Sequence, residues 1–338
     1  MNDIDSRRTS QQARQLRKGL VSVKLEQMTT NKRCKVAVIG TINRDTVIRA
    51  DGSKIEGYGG ILYNLAVLSR LLGDRGTMFP VANIGADHEC EIRKLLGKLV
   101  NCDLSVLANV RAANNHCLLT YQSVSEKTEI LSGWVGGVSR EKLRAILDSD
   151  FILVNFISGS DISTTNLKWL RANTRANIYI DFHSRTLGRK RDGARFLRRP
   201  RDWAKTAACA DILQMNEVEF ELLAGVKPSQ QECERFARKY LAPSARGLLV
   251  TLGKDGVILA ERKRGGVAAR QIAAEQLRRV VDTTGCGDVF AGAFVAACAL
   301  GQSLRSSAET AVGAASARAG VSGIEQIRWN KLMTNSKG

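Results

Sequence analysis

Proline is scarce in this chain, four residues among 338, and histidine is scarcer still at three. Few prolines mean few forced breaks in helices and inner strands, so long regular elements are permitted. The scattered histidines and the eight cysteines, with no Cys-x-x-Cys pair, leave no zinc-ligand spacing. The thiols read as reduced, which is cysteine usage of the cytoplasm. Long apolar runs are missing too: the longest, Val289 to Leu300, contains Gly292 and is too short to span a bilayer. No secretory apolar segment follows the N-terminus, and Asp3 and Asp5 weigh against a transit peptide. Several catalytic loops are absent as well. Gly253-Lys254 precedes Asp255 rather than Ser or Thr, so there is no Walker A loop. No Gly-x-Gly-x-x-Gly follows the first strand and no Gly-x-Ser-x-Gly elbow occurs, which disfavours a dinucleotide fold and an α/β-hydrolase.

What is present in excess is positive charge, +18 in all, and it is local. Residues 1–33 hold eight Lys/Arg against three acids, and residues 185–205 hold nine against Asp192 and Asp202. The rest of the chain is only mildly basic. Charge so distributed speaks to local partners, not to a surface coated by polyanion. An apolar fraction of 44% is ample for a core. Residues 1–33 are polar and read as a flexible basic tail, with one frayed helix around Leu16 to Leu25. Residues 34–330 read as one domain.

Within that domain the pattern alternates. Lys35 to Gly40 is an apolar run ending in glycine, a buried-strand signature. Thr46–Ala50 and Thr77–Gly85 read as further strands, and helices are expected from Gly60 to Leu72 and from Asp87 to Leu99. Residues 106–132 contain short alternating strands, which with 46–58 suit a β lid. Beyond 140, strands at Phe151–Ile157, Ile178–Phe182, Ile212–Met215 and Leu248–Leu252 are separated by helical stretches. Gly256–Glu261 and Val267–Ala274 form a hairpin. Strand alternating with helix implies a mostly parallel sheet covered on both faces.

The stretch with the most chemistry runs from Val280 to Gly292. Val280 and Val281 look like a strand end, Asp282-Thr283-Thr284 like a turn, and Gly285-Cys286-Gly287-Asp288 like the mouth of a helix. Unpaired N–H groups at such a mouth, backed by the helix dipole, make an anion site. A carboxylate beside an anion site repels the anion, unless it serves to take a proton from a hydroxyl that attacks a phosphoryl group. Asn43 and Asp45 follow the first strand, where open α/β sheets gather their ligands. They also fit an Asx turn.

Asp282-Thr-Thr-Gly-Cys-Gly-Asp288 with Phe290-Ala291-Gly292 closely resembles the C-terminal signature of the PfkB (ribokinase-like) carbohydrate kinases. Gly59-Gly60 with Asn64 and Ala66 resembles the N-terminal one. Asn43-x-Asp45, Asn216-Glu217-x-Glu219 and Thr251-Leu-Gly253 with Gly256 resemble further family positions, in the family's order. The resemblance implies a three-layer αβα sandwich of ribokinase type with a small β lid. It implies ATP-dependent phosphotransfer to an alcohol of a sugar, nucleoside or related polyol. Asp288 would be the base, and the N–H groups of Gly285, Cys286, Gly287 and Asp288 the hole for the transferred phosphoryl. Asn43, Asp45, Gly59, Gly60 and Asn64 would hold the acceptor. Thr251, Gly253 and Gly256 would line the nucleotide, while Asn216 and Glu219 would organise Mg²⁺ through water. Asn216 and Glu219 equally suit a helix cap. The resemblance also allows a monovalent cation such as K⁺ near Asp282, and a homodimer.

Departures from the family concern the substrate. Ile61-Leu62-Tyr63 stand where relatives carry small or polar residues, which suggests a confined, apolar pocket floor. Only 13 residues separate Asp45 from Gly59, a reduced lid segment. Val312 stands where many relatives place an adenine-side Asn. Arg185 and Arg189 follow a strand on the ligand side of the sheet, where bidentate contacts could hold an acidic or phosphorylated substrate. The alternative there is a solvated basic loop. Two other functions compete: a kinase-like scaffold on nucleic acid, disfavoured by an intact Asp288 between glycines, and a kinase of a vitamin-like heteroaromatic alcohol. Neither nucleic acid nor a membrane is the expected partner.

Overall fold

Short apolar runs become strands and the segments between them become helices. The computed structural model of the chain describes residues 33–122, 127–277 and 279–321. In order come β1 (Cys34–Ile39), β2 (Arg44–Ile48), β3 (Lys54–Tyr58), α1 (Ile61–Leu72), β4 (Gly76–Val81) and β5 (Asn83–Gly85). Next are α2 (Glu89–Leu96), β6 (Ala108–Val110), β7 (His116–Tyr121), β8 (Lys127–Ser132), α3 (Arg140–Arg144), β9 (Phe151–Asn155), α4 (Thr164–Asn173) and β10 (Asn177–Asp181). Then follow β11 (Leu187–Arg189), β12 (Arg195–Leu197), α5 (Trp203–Ala207), β13 (Ile212–Asn216), α6 (Glu217–Ala224) and α7 (Gln230–Tyr240). The described chain ends with β14 (Gly247–Thr251), β15 (Val257–Lys263), β16 (Gly266–Ile272), α8 (Cys286–Ala299) and α9 (Leu304–Ala319).

Eight strands form the central sheet in the order β16-β15-β14-β13-β10-β9-β1-β4. All neighbours are parallel except the β14–β15 and β15–β16 pairs, the expected hairpin edge. Because helices cover both faces, β9 reads as an unbroken buried run with no alternation. One core cluster holds α1, α2, α8 and α9 against the sheet, and the other holds the helices from α3 to α7. This is the three-layer α/β arrangement the alternation implied. A second sheet, in the order β3-β2-β7-β8, stands apart from the first.

The structure departs from several local expectations. Val280 and Val281 are exposed and belong to no strand. β16 is the edge of the sheet, so the chain leaving it has no neighbour to pair with, and a β-branched dipeptide alone cannot make a ladder. Val281 N–H instead donates to Ala319 O at 2.8 Å, tying this segment to the end of α9. α8 begins at Cys286, before the apolar run starts at Val289. The stretch 77–85 divides into β4 and β5, and the basic segment carries the antiparallel pair β11–β12. The basic tail and its frayed helix and the domain end at 330 lie outside the described residues. Among the described residues no helix is long and apolar enough to cross a membrane.

Candidate active site

Parallel strands deliver their C-terminal residues to one edge of the sheet. Here that edge is a row of polar side chains: Asn155 ends β9, Asp181 ends β10 and Asn216 ends β13. The register sets Asp181 beside Asn155 and beside Gln214, and Asn216 beside Thr251. α8 points its first turn at this row.

Asp288 lies in that first turn and is 6% exposed. Asn155 Nδ2 donates to Asp288 Oδ1 at 2.7 Å and to Asn64 Oδ1 at 2.9 Å. Asn64 Nδ2 in turn donates to the backbone O of Asp288 at 2.7 Å. Two fully buried asparagines thus hold one side of the carboxylate and the helix turn that carries it. Gln214 Nε2 donates to Asp181 Oδ2 at 2.9 Å and to Gly287 O at 3.4 Å, and Tyr179 OH donates to Gln214 Oε1. These contacts fix the orientation of the α8 mouth before anything binds.

The mouth itself is close to the expected anion hole, with one subtraction. Gly285 adopts φ +75°, the left-handed region in which glycine carries no Cβ penalty. A Cβ there would also meet the Tyr63 ring at 2.8 Å. Cys286 N–H donates to Thr283 O at 3.2 Å, so it is taken. Among the described residues the N–H groups of Gly285, Gly287 and Asp288 have no backbone acceptor. The Cys286 thiol is pushed up to about 12 by burial, which makes it a small apolar residue and no nucleophile.

Asp45, at the start of β2, faces this mouth. Burial pushes its carboxyl up to about 7, and the negative charge of Asp288 adds to the shift. Gly59 exists for this contact, since a Cβ on it would sit 1.9 Å from Asp45 Oδ2. Gly60, at φ +62°, would carry its Cβ into Thr41 O. Gly59 N–H donates to Asn43 O at 2.9 Å, which draws the acceptor-side loops together. Asn43 Oδ1 and Asn155 Oδ1 are buried without a hydrogen-bond partner, and orphaned acceptors of this kind mark a place built for a ligand. A cavity of about 420 Å³ opens between β2, β3 and β7 on one side and the 280–284 segment on the other. Asp45, Tyr63, Tyr121, Thr284 and Arg318 line it. Tyr121 OH and Thr284 Oγ1 share a hydrogen bond at 3.0 Å, so the small sheet touches the loop that forms the hole.

Further along the row, Asn216 and Glu219 make a reciprocal capping box at the start of α6. Asn216 N–H and Nδ2 donate to Glu219 Oε2 and Oε1 at 2.9 and 2.7 Å. Burial pushes Glu219 up to about 7. Asp181 is raised well above the usual carboxylate range by burial and by the charges of Glu219 and Asp288. Asp181 and Glu219 are thus buried carboxyls tied to amides, and among the described residues no group of three side chains could by itself hold a metal ion. Gly256, at φ +91°, lets the β14–β15 turn pass Ile272 O, where a Cβ would lie at 2.0 Å.

A model of the pfkB family carbohydrate kinases matches residues 193–329, the stretch that carries the α8 mouth. The chain is 37% identical over 86 residues to the ribokinase of Staphylococcus aureus, a match covering 25% of the chain and 27% of that protein. It therefore spans about a quarter of that relative's length. It is 24% identical over 276 residues to the cytidine kinase of Thermococcus kodakarensis, covering 80% of the chain and 90% of that protein. Arabidopsis thaliana ribokinase, solved in complex with ribose and ATP, superposes with a TM-score of 0.71 at 20% identity, over 91% of this chain and all of that one. The chain thus has the ribokinase fold.

Three expectations about the pocket change. Ile61 is fully buried in the core, and of positions 61–63 only Tyr63 lines the cavity. Arg185 is spent: its Nη2 donates to both carboxylate oxygens of Asp202 at 2.9 and 2.8 Å and its Nη1 to Gly159 O. Arg189 reaches Gly133 O and lies over the Trp134 ring at 5.7 Å. Asn155, Asp181, Gln214 and Arg318 were not singled out in the sequence. The first three had a signal, a polar residue at or near the end of a buried strand; Arg318 had none.

Proposed function

We propose that this chain transfers a phosphoryl group from ATP to an alcohol of a small polyol, sugar or nucleoside. The observation that carries the reading is the Asp288 carboxylate, held by Asn155 at a helix mouth whose N–H groups lack backbone acceptors, with the buried Asp45 carboxyl close enough to feel its charge. Asn43 and Asp45 accept from the acceptor's hydroxyls and orient it. Asp288 takes the proton of the attacking hydroxyl as the oxygen bonds to phosphorus. The N–H groups of Gly285, Gly287 and Asp288 then receive the charge that develops on the phosphoryl oxygens, each such donor being worth roughly 2.7–4 kcal/mol in other enzymes. Mg²⁺ bound to the phosphates would offset their charge, with Glu219 and Asp181 facing its water shell. Thr251 at the end of β14, with Gly253 and Gly256 just beyond it, lines the nucleotide side.

The spent guanidinium of Arg185 removes the main support for an acidic acceptor, so a neutral polyol or nucleoside is the acceptor class favoured. The test is a screen of sugars, sugar phosphates and nucleosides with ATP and Mg²⁺. Turnover on a neutral polyol that disappears in Asp288→Asn is the expected result. Salt-sensitive binding to RNA or DNA with no turnover on any acceptor would overturn it.

A further inference from the structure

The least expected group beside the anion hole is a buried guanidinium. Arg318 sits in the last turn of α9, its side chain 1% exposed. Its Nη2 donates to Asp282 Oδ2 at 2.6 Å, and its Nη1 donates to Val321 O at 2.9 Å and to Asp282 O at 3.4 Å. One carboxylate oxygen and two backbone carbonyls are the oxygen set a hard cation would take. Here the guanidinium has taken it. Its carbon also lies 5.6 Å from the centroid of the Tyr63 ring, and that ring closes over Gly285. Asp282 meanwhile accepts from Thr284 N–H at 2.8 Å. The guanidinium thus holds both the strap that leads into the anion hole and the aromatic ring that covers its first glycine.

A K⁺ ion near Asp282 does not fit this arrangement. It would compete for the same oxygens and stand against a fixed positive charge in a buried site. We propose that Arg318 is a built-in replacement for the monovalent cation, a positioning residue that sets the 282–285 loop and makes the chain's phosphotransfer independent of K⁺. This rests on the phosphotransfer reading, and one arm of the test needs no turnover.

The experiment compares KCl with tetramethylammonium chloride at equal ionic strength, for the wild type, Arg318→Met and Arg318→Lys. The expected wild-type result is the same kcat and the same melting temperature in both salts. Arg318→Met should lose about tenfold or more in kcat in tetramethylammonium, with acceptor KM little changed, and recover with K⁺ or with guanidinium ion. Its melting temperature should rise in K⁺ relative to tetramethylammonium, whether or not an acceptor is known. Arg318→Lys should stay indifferent to K⁺. Should Arg318→Met fail to fold, the wild type and Arg318→Lys decide. Activation or stabilisation of the wild type by K⁺ overturns the proposal, and so does an Arg318→Met loss that no cation restores. If no acceptor is ever turned over yet K⁺ stabilises Arg318→Met alone, the phosphotransfer reading fails and the cation replacement stands.

Discussion

Asp45 shows how one residue can serve function against stability. Its carboxyl is pushed up to about 7 by burial, with the charges of Asp288 and Glu129 adding. A carboxyl raised on folding binds its proton more tightly in the native state. Its contribution to stability is therefore intact below the ordinary carboxylate pKa and lost as pH rises through about 7. Glu219, also pushed up to about 7 by burial, acts in the same direction. Denaturation midpoints should fall between about pH 4 and about pH 7, and Asp45→Asn should be more stable than the wild type by about 1–3 kcal/mol at about pH 8. Urea melts across that range check this, and an Asp45→Asn protein weaker than the wild type at the alkaline end refutes it. Asp288→Asn should lower kcat by roughly 10²–10⁴-fold, the usual worth of a positioned base, with little change in melting temperature. Asp45, Asn64 and Asp288 were legible in the sequence because each sits in a motif of local spacing. Asn155 was not, because its partner Asp288 is 133 residues away and only the fold makes them neighbours.

At the scale of elements, the site depends on how closely α1 and α8 approach. Gly292 is the contact: a Cβ there would lie 2.3 Å from Val67 Cγ1 and 2.9 Å from Asn64 O. The two helices carry Asn64 and Asp288, so any spreading moves the Asp288 carboxylate relative to Asn64. Gly292→Ala should cost about 1–3 kcal/mol of stability, as overpacking does, and should lower kcat as well. Thermal unfolding and steady-state rates on the same preparation test it; loss of stability with unchanged kcat would show that the helix contact does not set the base. Gly292 was visible in the sequence as part of a family-like signature and as a break in an apolar run. What it meets was not visible, since Val67 lies on another helix. α9 escaped attention for a related reason. It is rich in Ala and Ser with only scattered larger apolar residues, so it shows no clear apolar stripe, and it is held by packing against α8 and the sheet.

Over the whole molecule, charge and topology divide their roles. The basic segment that follows β10 is tied down by its own arginines rather than held out toward a ligand. Arg185 bridges Asp202 and Thr164 and lies over Phe156, linking the exit of β10 to the starts of α4 and α5. Arg185→Ala should cost about 1–3 kcal/mol by removing the guanidinium from Asp202, which keeps only its Thr164 side-chain contact, while the acceptor KM stays unchanged. Equilibrium unfolding and a KM measurement decide the matter, and a raised KM at unchanged stability would return Arg185 to the substrate side. The small sheet and the central domain meet at the Tyr121–Thr284 hydrogen bond, and Asp45 reaches the site from β2.

The sequence by itself determined the layered α/β fold and the helix mouth from Gly285 to Asp288. These follow from periodicity and from short-range turn chemistry, which act between residues close in the chain. The tertiary structure alone decided which charges are free to act. It turned Arg185 onto Asp202, withdrew the Cys286 N–H to Thr283 O and set Arg318 on Asp282. An ionised side chain finds its partner through space, and in a buried, low-dielectric site the nearest opposite charge outweighs any preference written in local sequence.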